Sequence, residues 1–172
     1  MNGTVGKSEK RVDAFDKVTG RARYTDDLCD RNALVAKVLH STIANGVVKA
    51  IDTSAAEKIQ GVVKIVTCFD VPEYKFPTAG HPWSTDPHHQ DVADRLLLTR
   101  RVRFYGDDVA AVVAENEIAA AEALRAIQVE YEEFPFVLDA EEAMKPGAPQ
   151  LHEDYPNNIL AHTSIYKGDY DA

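Results

Sequence analysis

Hydrophobic and polar positions alternate over several short stretches of the chain, and helix and turn signals separate those stretches. Leu34 to His40 (LVAKVLH) reads as a strand with Val35, Lys37 and Leu39 on one face and Leu34, Ala36, Val38 and His40 on the other; the second face is expected to be the buried one. Val47 to Ile51 reads as another strand. Ser54 and Glu57 have capping-box spacing, which predicts a short helix stopped by Gly61 in the left-handed conformation. Val62 to Thr67 is β-branched around Lys64 and predicts a strand returning beside the previous one.

A second strand, helix, strand series follows. Val109 to Ala114 is the strand, Glu117 to about Ile127 the helix, and Val129 to Tyr131 the closing strand. Asn116 supplies a side-chain oxygen for the first free amides of that helix. Ala120, Ala123, Leu124 and Ile127 share one helical face, with Glu117, Glu122 and Arg125 off it, the pattern of a cover over a sheet. The two series are similar but do not have the spacing of a solenoid. The economical packing is an α/β (α+β) domain, one small mixed sheet with two main covering helices. Asp139 and Glu142 cap one more short helix before Pro146 and Gly147 end it. Ahead of the first strand, a Lys17-Val18-Thr19-Gly20 turn leads into a short strand, Arg21 to Thr25. The predicted organisation is a polar lead-in over 1–30, one domain over 31–145 and an irregular tail over 146–172.

A chain of 172 residues holds one ordinary domain, and 45% hydrophobic with 27% charged residues suits a packed core. The net charge of −9 repels phosphate backbones and anionic lipid, so nucleic acid and membrane are not expected partners. No stretch approaches the ~20 apolar residues that span a bilayer, and the start lacks the apolar core of a signal peptide. A cytoplasmic location is the expectation. Cys29 and Cys68 match no zinc or iron–sulfur spacing and are expected to be partly buried thiols in a reducing compartment.

Chemistry-bearing residues concentrate in the predicted loop Pro72 to Arg95. Its run His81-Pro-Trp-Ser-Thr-Asp-Pro-His-His-Gln-Asp91 carries three imidazoles and two carboxylates. A metal site would draw on His81, His88 or His89 with Asp86 or Asp91, but prolines keep the run extended and no helix or hairpin holds a tetrahedron. A loop docking on a partner or neighbouring domain is the favoured reading, since Trp83 is costly in a loop unless it packs. Glu130, Glu132 and Glu133 read as a solvated face, and Asp107-Asp108 as a plain turn. The sequence has no phosphate-cradling glycine loop, dinucleotide fingerprint or nucleophile elbow.

Four segments in order resemble a known domain: RVDAFDKVTGRARYTDD, HSTIANGVVKAIDTSAAEKIQGVVKIVTCFDVP, LLLTRRVRFYGDDVAAVVAENEIAAAEALRAIQVEYEEFP and VLDAEEAM. Together they are similar to the hammerhead domain that opens the molybdenum-binding (large) subunit of the xanthine dehydrogenase and aldehyde oxidase family. The loop FPTAGHPWSTDPHHQDVADR resembles the bacterial xanthine dehydrogenase version more than that of aldehyde oxidases. The resemblance implies an α/β hammerhead fold within an enzyme that oxidatively hydroxylates purines, hypoxanthine and xanthine to urate. It implies molybdopterin and molybdenum in the full-length subunit, iron–sulfur clusters and FAD in the complex, and no cofactor-binding, metal-binding or catalytic residue in this stretch. The expected partners are the molybdopterin-binding domains of the same subunit, the iron–sulfur and FAD subunits or domains, and the purine substrate. His81, Trp83 and His88 are the candidates for a substrate-funnel or interdomain loop. The alternatives are a hydroxylase of aldehydes or aromatic heterocycles from the same family, and a free-standing interaction module sharing the fold.

Overall fold

The computed structural model describes residues 3, 5–30, 32–76, 93, 95–159 and 167–169. Two compact units result, Met1–Ala33 and Leu34–Ala172.

In the first unit, α1 (Ala14–Val18) is a single turn whose Asp16 carbonyl accepts from the Arg21 and Ala22 amides at 2.8 and 2.9 Å, with Gly20 at φ 72° making the reversal. The strand expected from Arg21 to Thr25 does not form, because no neighbouring strand pairs with it among the described residues. A second turn, α2 (Thr25–Leu28), takes its place and is capped by the Tyr24 amide donating to Asp27 Oδ2 at 2.9 Å.

In the second unit the strands are β1 (Val35–His40), β2 (Gly46–Asp52), β3 (Val62–Thr67), β4 (Arg101–Val102), β5 (Asp108–Ala114) and β6 (Gln128–Glu133), with α3 (Glu117–Ala126) and α4 (Ala140–Ala143). The α/β class expected from the sequence stands, but the single mixed sheet is instead two antiparallel three-stranded sheets, ordered β1-β5-β3 and β4-β2-β6. Successive strands alternate between them. β3 therefore pairs with β5 rather than returning beside β2, and each strand, helix, strand series bridges the two sheets.

Helix α3 covers the first sheet. The Asn116 side chain accepts from the Ala119 amide at 2.9 Å, as the sequence predicts. Ala119, Ala120, Ala123 and Ile127 are buried against Val112 and Ala114 of β5 and Ala56. These alanines let the helix axis approach the strands closely. The other expected covering helix is a single 3-10 turn, Ala56–Lys58, so the cover is mainly α3. Its capping box does not involve Ser54; Thr53 Oγ1 donates to Glu57 Oε1 at 2.7 Å, and the Ser54 amide turns back to Asp52 Oδ1 at 2.9 Å. Gly61 does adopt the predicted positive φ, 89°, which ends this segment beside Ala119.

The buried face of β1 is the reverse of the expected one. Val35, Lys37 and Leu39 are half-buried toward α3, while Ala36, Val38 and His40 are exposed. Lysine on the covered face is possible because β1 is an edge strand beside the helix N-terminus. Its stem lies over the core and its ammonium reaches Glu117 Oε2 at 2.5 Å.

A smaller core of Ile43, Val48, Val102 and Val109 lies with the second sheet. At its centre Gly46 pairs with Val102 of β4 and Glu133 of β6. A methyl group there would overlap the Glu132 carbonyl oxygen and stand 2.6 Å from Ile43 Cδ1. Gly46→Ala is expected to cost at least about 1–3 kcal/mol, the usual range for overpacking. Asn116→Ala, which deletes a cap without a clash, is expected to cost about 1 kcal/mol. Urea unfolding of both variants measures the two effects, and a Gly46→Ala protein as stable as the wild-type chain would contradict the assigned packing.

Candidate interaction site

The three residues singled out from the sequence, His81, Trp83 and His88, lie outside the described residues, as do Asp86, His89 and Asp91. The base of that loop is described. Phe76 and Arg95 form an antiparallel bridge, with the Phe76 amide donating to the Arg95 carbonyl at 2.9 Å and the reverse bond at 3.1 Å. The two ends of the predicted loop are thereby held together.

Asp107 anchors this base. The sequence reading placed it in a plain turn, but it is buried just before β5. Its Oδ2 accepts from the Arg103 amide at 2.7 Å and the Phe104 amide at 3.4 Å, and its Oδ1 pairs with the Arg95 guanidinium at 3.3 Å. Burial pushes its pKa above the ordinary carboxylate value; the amide bonds and the nearby arginines pull the other way. Asp108, next along, pairs with His40 Nδ1 at 2.9 Å on the exposed edge.

Arg95, Arg100, Arg101 and Arg103 cluster here in a chain that is otherwise acidic. Their guanidiniums act as clips. Arg100 donates to the Val48 carbonyl at 3.1 Å, Arg103 to the Leu151 carbonyl at 2.8 Å, and Arg101 to Asn45 Oδ1 at 2.7 Å and to the Gly46 and Val102 carbonyls. Three of them also lie over aromatic rings: Arg95 on Phe104 at 4.8 Å, Arg100 on Phe69 and Arg101 on Phe134, both at 5.4 Å. Burial and the neighbouring Arg103 charge lower the Arg101 pKa.

The corner between β1 and β2 completes the support. Buried Ser41 accepts from the Gly106 amide and donates to the Phe104 carbonyl, and Asn45 donates to the Pro135 carbonyl at 2.6 Å. In the tail, Asn158 accepts from the Leu151 amide and donates to the Ala143 and Pro149 carbonyls, which orders the stretch that Arg103 grips.

A cleft of about 320 Å³ opens beside this base, walled by Phe76, Arg95, Thr99, Arg103, Phe104 and His152. Its polar groups are engaged in structural bonds, and no buried side-chain polar atom among the described residues lacks a partner. No group of three His, Cys, Asp or Glu side chains suited to a metal occurs among the described residues. Cys68 is half-buried with its thiol pKa pushed up to about 11 by burial, which keeps it protonated; Cys29 is exposed rather than partly buried. Glu130, Glu132 and Glu133 are solvated, as expected, with Glu132 paired to Lys49 at 3.1 Å. No helix among the described residues is long and apolar enough to cross a membrane.

The described residues thus tie the Phe76–Arg95 bridge to β5 through Asp107. The sequence pattern of the aldehyde oxidase and xanthine dehydrogenase a/b hammerhead domain matches residues 19–135, and the chain belongs to that family. It is 43% identical over 158 residues to the xanthine dehydrogenase molybdenum-binding subunit of Escherichia coli O157:H7, covering 92% of this chain and 21% of that protein. Among solved structures, the aldehyde oxidoreductase from Desulfovibrio desulfuricans ATCC 27774 matches with a TM-score of 0.74 and 33% identity, over 88% of this chain and 17% of that one. Quinoline 2-oxidoreductase from Pseudomonas putida 86 matches with a TM-score of 0.74 and 29% identity, over 90% and 19% respectively. The chain spans about one fifth of the length of these relatives.

Asp107 yields a pH prediction. A buried carboxyl with a raised folded-state pKa favours folding below its unfolded value, and this contribution is lost as pH rises through the folded pKa. The stability difference between the wild-type chain and Asp107→Asn is expected to narrow as pH climbs above about 4, then level off. Urea unfolding across a pH series reads this difference. A gap that widens with pH would show the arginines, not burial, to dominate.

Proposed function

We propose that this chain is the hammerhead part of the large subunit of a xanthine dehydrogenase-type molybdenum hydroxylase, and that it braces the enzyme without supplying a catalytic group. The intact enzyme hydroxylates purines, hypoxanthine and xanthine to urate, in the cytoplasm. The observation that carries this reading is the 43% identity over 158 residues to a xanthine dehydrogenase molybdenum-binding subunit. The commitment of Arg95, Arg101, Arg103 and Asp107 to hydrogen bonds between separate segments supports a bracing role.

In this reading the molybdopterin-binding domains of the same subunit hold the cofactor, with iron–sulfur and FAD subunits or domains as electron carriers. The cofactor supplies the redox chemistry when bound, and this chain's residues hold neighbouring segments in place. His81, Trp83 and His88 lie outside the described residues, in the stretch between the bridged Phe76 and Arg95, and are assigned in this reading to a substrate funnel or a domain boundary. The residue ranges follow the same division: a lead-in over 1–30, the hammerhead over 31–145, and from 146 the start of the cofactor-binding region.

A hydroxylase of aldehydes or aromatic heterocycles is the second reading, favoured by the match to an aldehyde oxidoreductase and a quinoline 2-oxidoreductase. The 172-residue chain alone is expected to contain no molybdenum and to reduce no dye with xanthine. The intact enzyme is expected to reduce dye with hypoxanthine and xanthine. Turnover by the pure chain would refute the bracing role, and an intact enzyme that oxidises aldehydes or quinoline but not purines would establish the second reading.

A further inference from the structure

The sheet β1-β5-β3 has one face under α3 and the other open. On the open face, Ala36 is opposite Val113, which is opposite Lys64, and Val38 is opposite Ala111, which is opposite Val66. Leu34 and Val63 flank these rows and are 51% and 53% exposed, and Val38 is 39% exposed. An antiparallel sheet with one solvated face ordinarily carries polar residues there. Here, in a chain that is 27% charged, the two cross-strand rows hold one charge, Lys64. The His40–Asp108 pair marks the polar end of the patch. Contiguous apolar surface of this kind signals a contact face.

From this we infer that the open face of the β1-β5-β3 sheet is the seat on which the remaining polypeptide of the large subunit packs, through a mainly apolar surface. The inference rests on the proposed function. The occupant is argued from length: in the relatives this fold makes up 21% or less of the chains just described, so the same polypeptide has about four fifths of its length available to cover the face.

Cysteine labelling tests this. In a Cys29→Ser background, single variants Ala36→Cys, Val38→Cys and Val113→Cys are compared with Ile118→Cys, a position 72% exposed on α3. Cys68 stays silent near neutral pH because its thiol is protonated. Maleimide labelling is timed in the 172-residue chain and in the intact enzyme, with circular dichroism and purine-dependent dye reduction as controls. The expected result is labelling at all positions in the chain alone, and at least tenfold slower labelling of positions 36, 38 and 113, but not 118, in the intact enzyme. Equal labelling of the sheet positions in both would overturn the inference, while purine turnover by that enzyme would leave the proposed function standing. Protection that appears in the chain alone as its concentration rises would assign the face to a second copy and also overturn the inference.

Discussion

Strand β5 is the element on which the rest of the second unit depends. It is the central strand of its sheet, pairing with β1 on one side and β3 on the other. Val112 and Ala114 face the core under α3, and Val109 enters the smaller core with Val48 and Val102. Asp107, immediately before it, ties the Arg95 loop base to the same strand. One segment therefore fixes the helix, both cores and the base of the loop.

The alternation of strands between the two sheets makes every ladder non-local. β1 pairs with residues more than sixty positions ahead, and β2 with residues about eighty positions ahead, so loop-closure entropy opposes each contact until its partner arrives. Local devices offset part of that cost. The Asn116 cap and Gly61 at positive φ each narrow the conformations of a connection. The arginine clips do the same over longer range, joining a guanidinium to a carbonyl and an aromatic ring at once.

This division separates what was legible in the sequence from what was not. The positions of β1, β2, β3, β5, α3 and α4 follow from periodicity, and the caps Asn116 and Asp139 from residue type, because each depends on neighbours within one turn or strand. Pairing was misread because sequential strands usually neighbour each other, and here none do. The buried side of β1 was misread because Lys37 signals solvent in a periodicity argument, whereas its partner Glu117 lies eighty positions away. Asp107 reads as a plain turn for the same reason: an aspartate after glycine looks like one, and only the fold brings Arg95 and two amides to it. A signal was available in the run Arg100-Arg101-Val102-Arg103, basic within an acidic chain.

The titratable groups around the loop base are used structurally. A general base needs an open lone pair at a cavity, and a nucleophile needs a lowered pKa or an adjacent base. The buried carboxylate of Asp107 spends its oxygens on two amides and a guanidinium, the Cys68 thiol is held protonated by burial, and the arginine forks are occupied by carbonyls and rings. Around the loop base, Asp107, Arg95, Arg100, Arg101 and Arg103 are each committed to a backbone segment or to one another. Removing any of these five side chains would loosen a connection between β5, the Arg95 base and the second sheet.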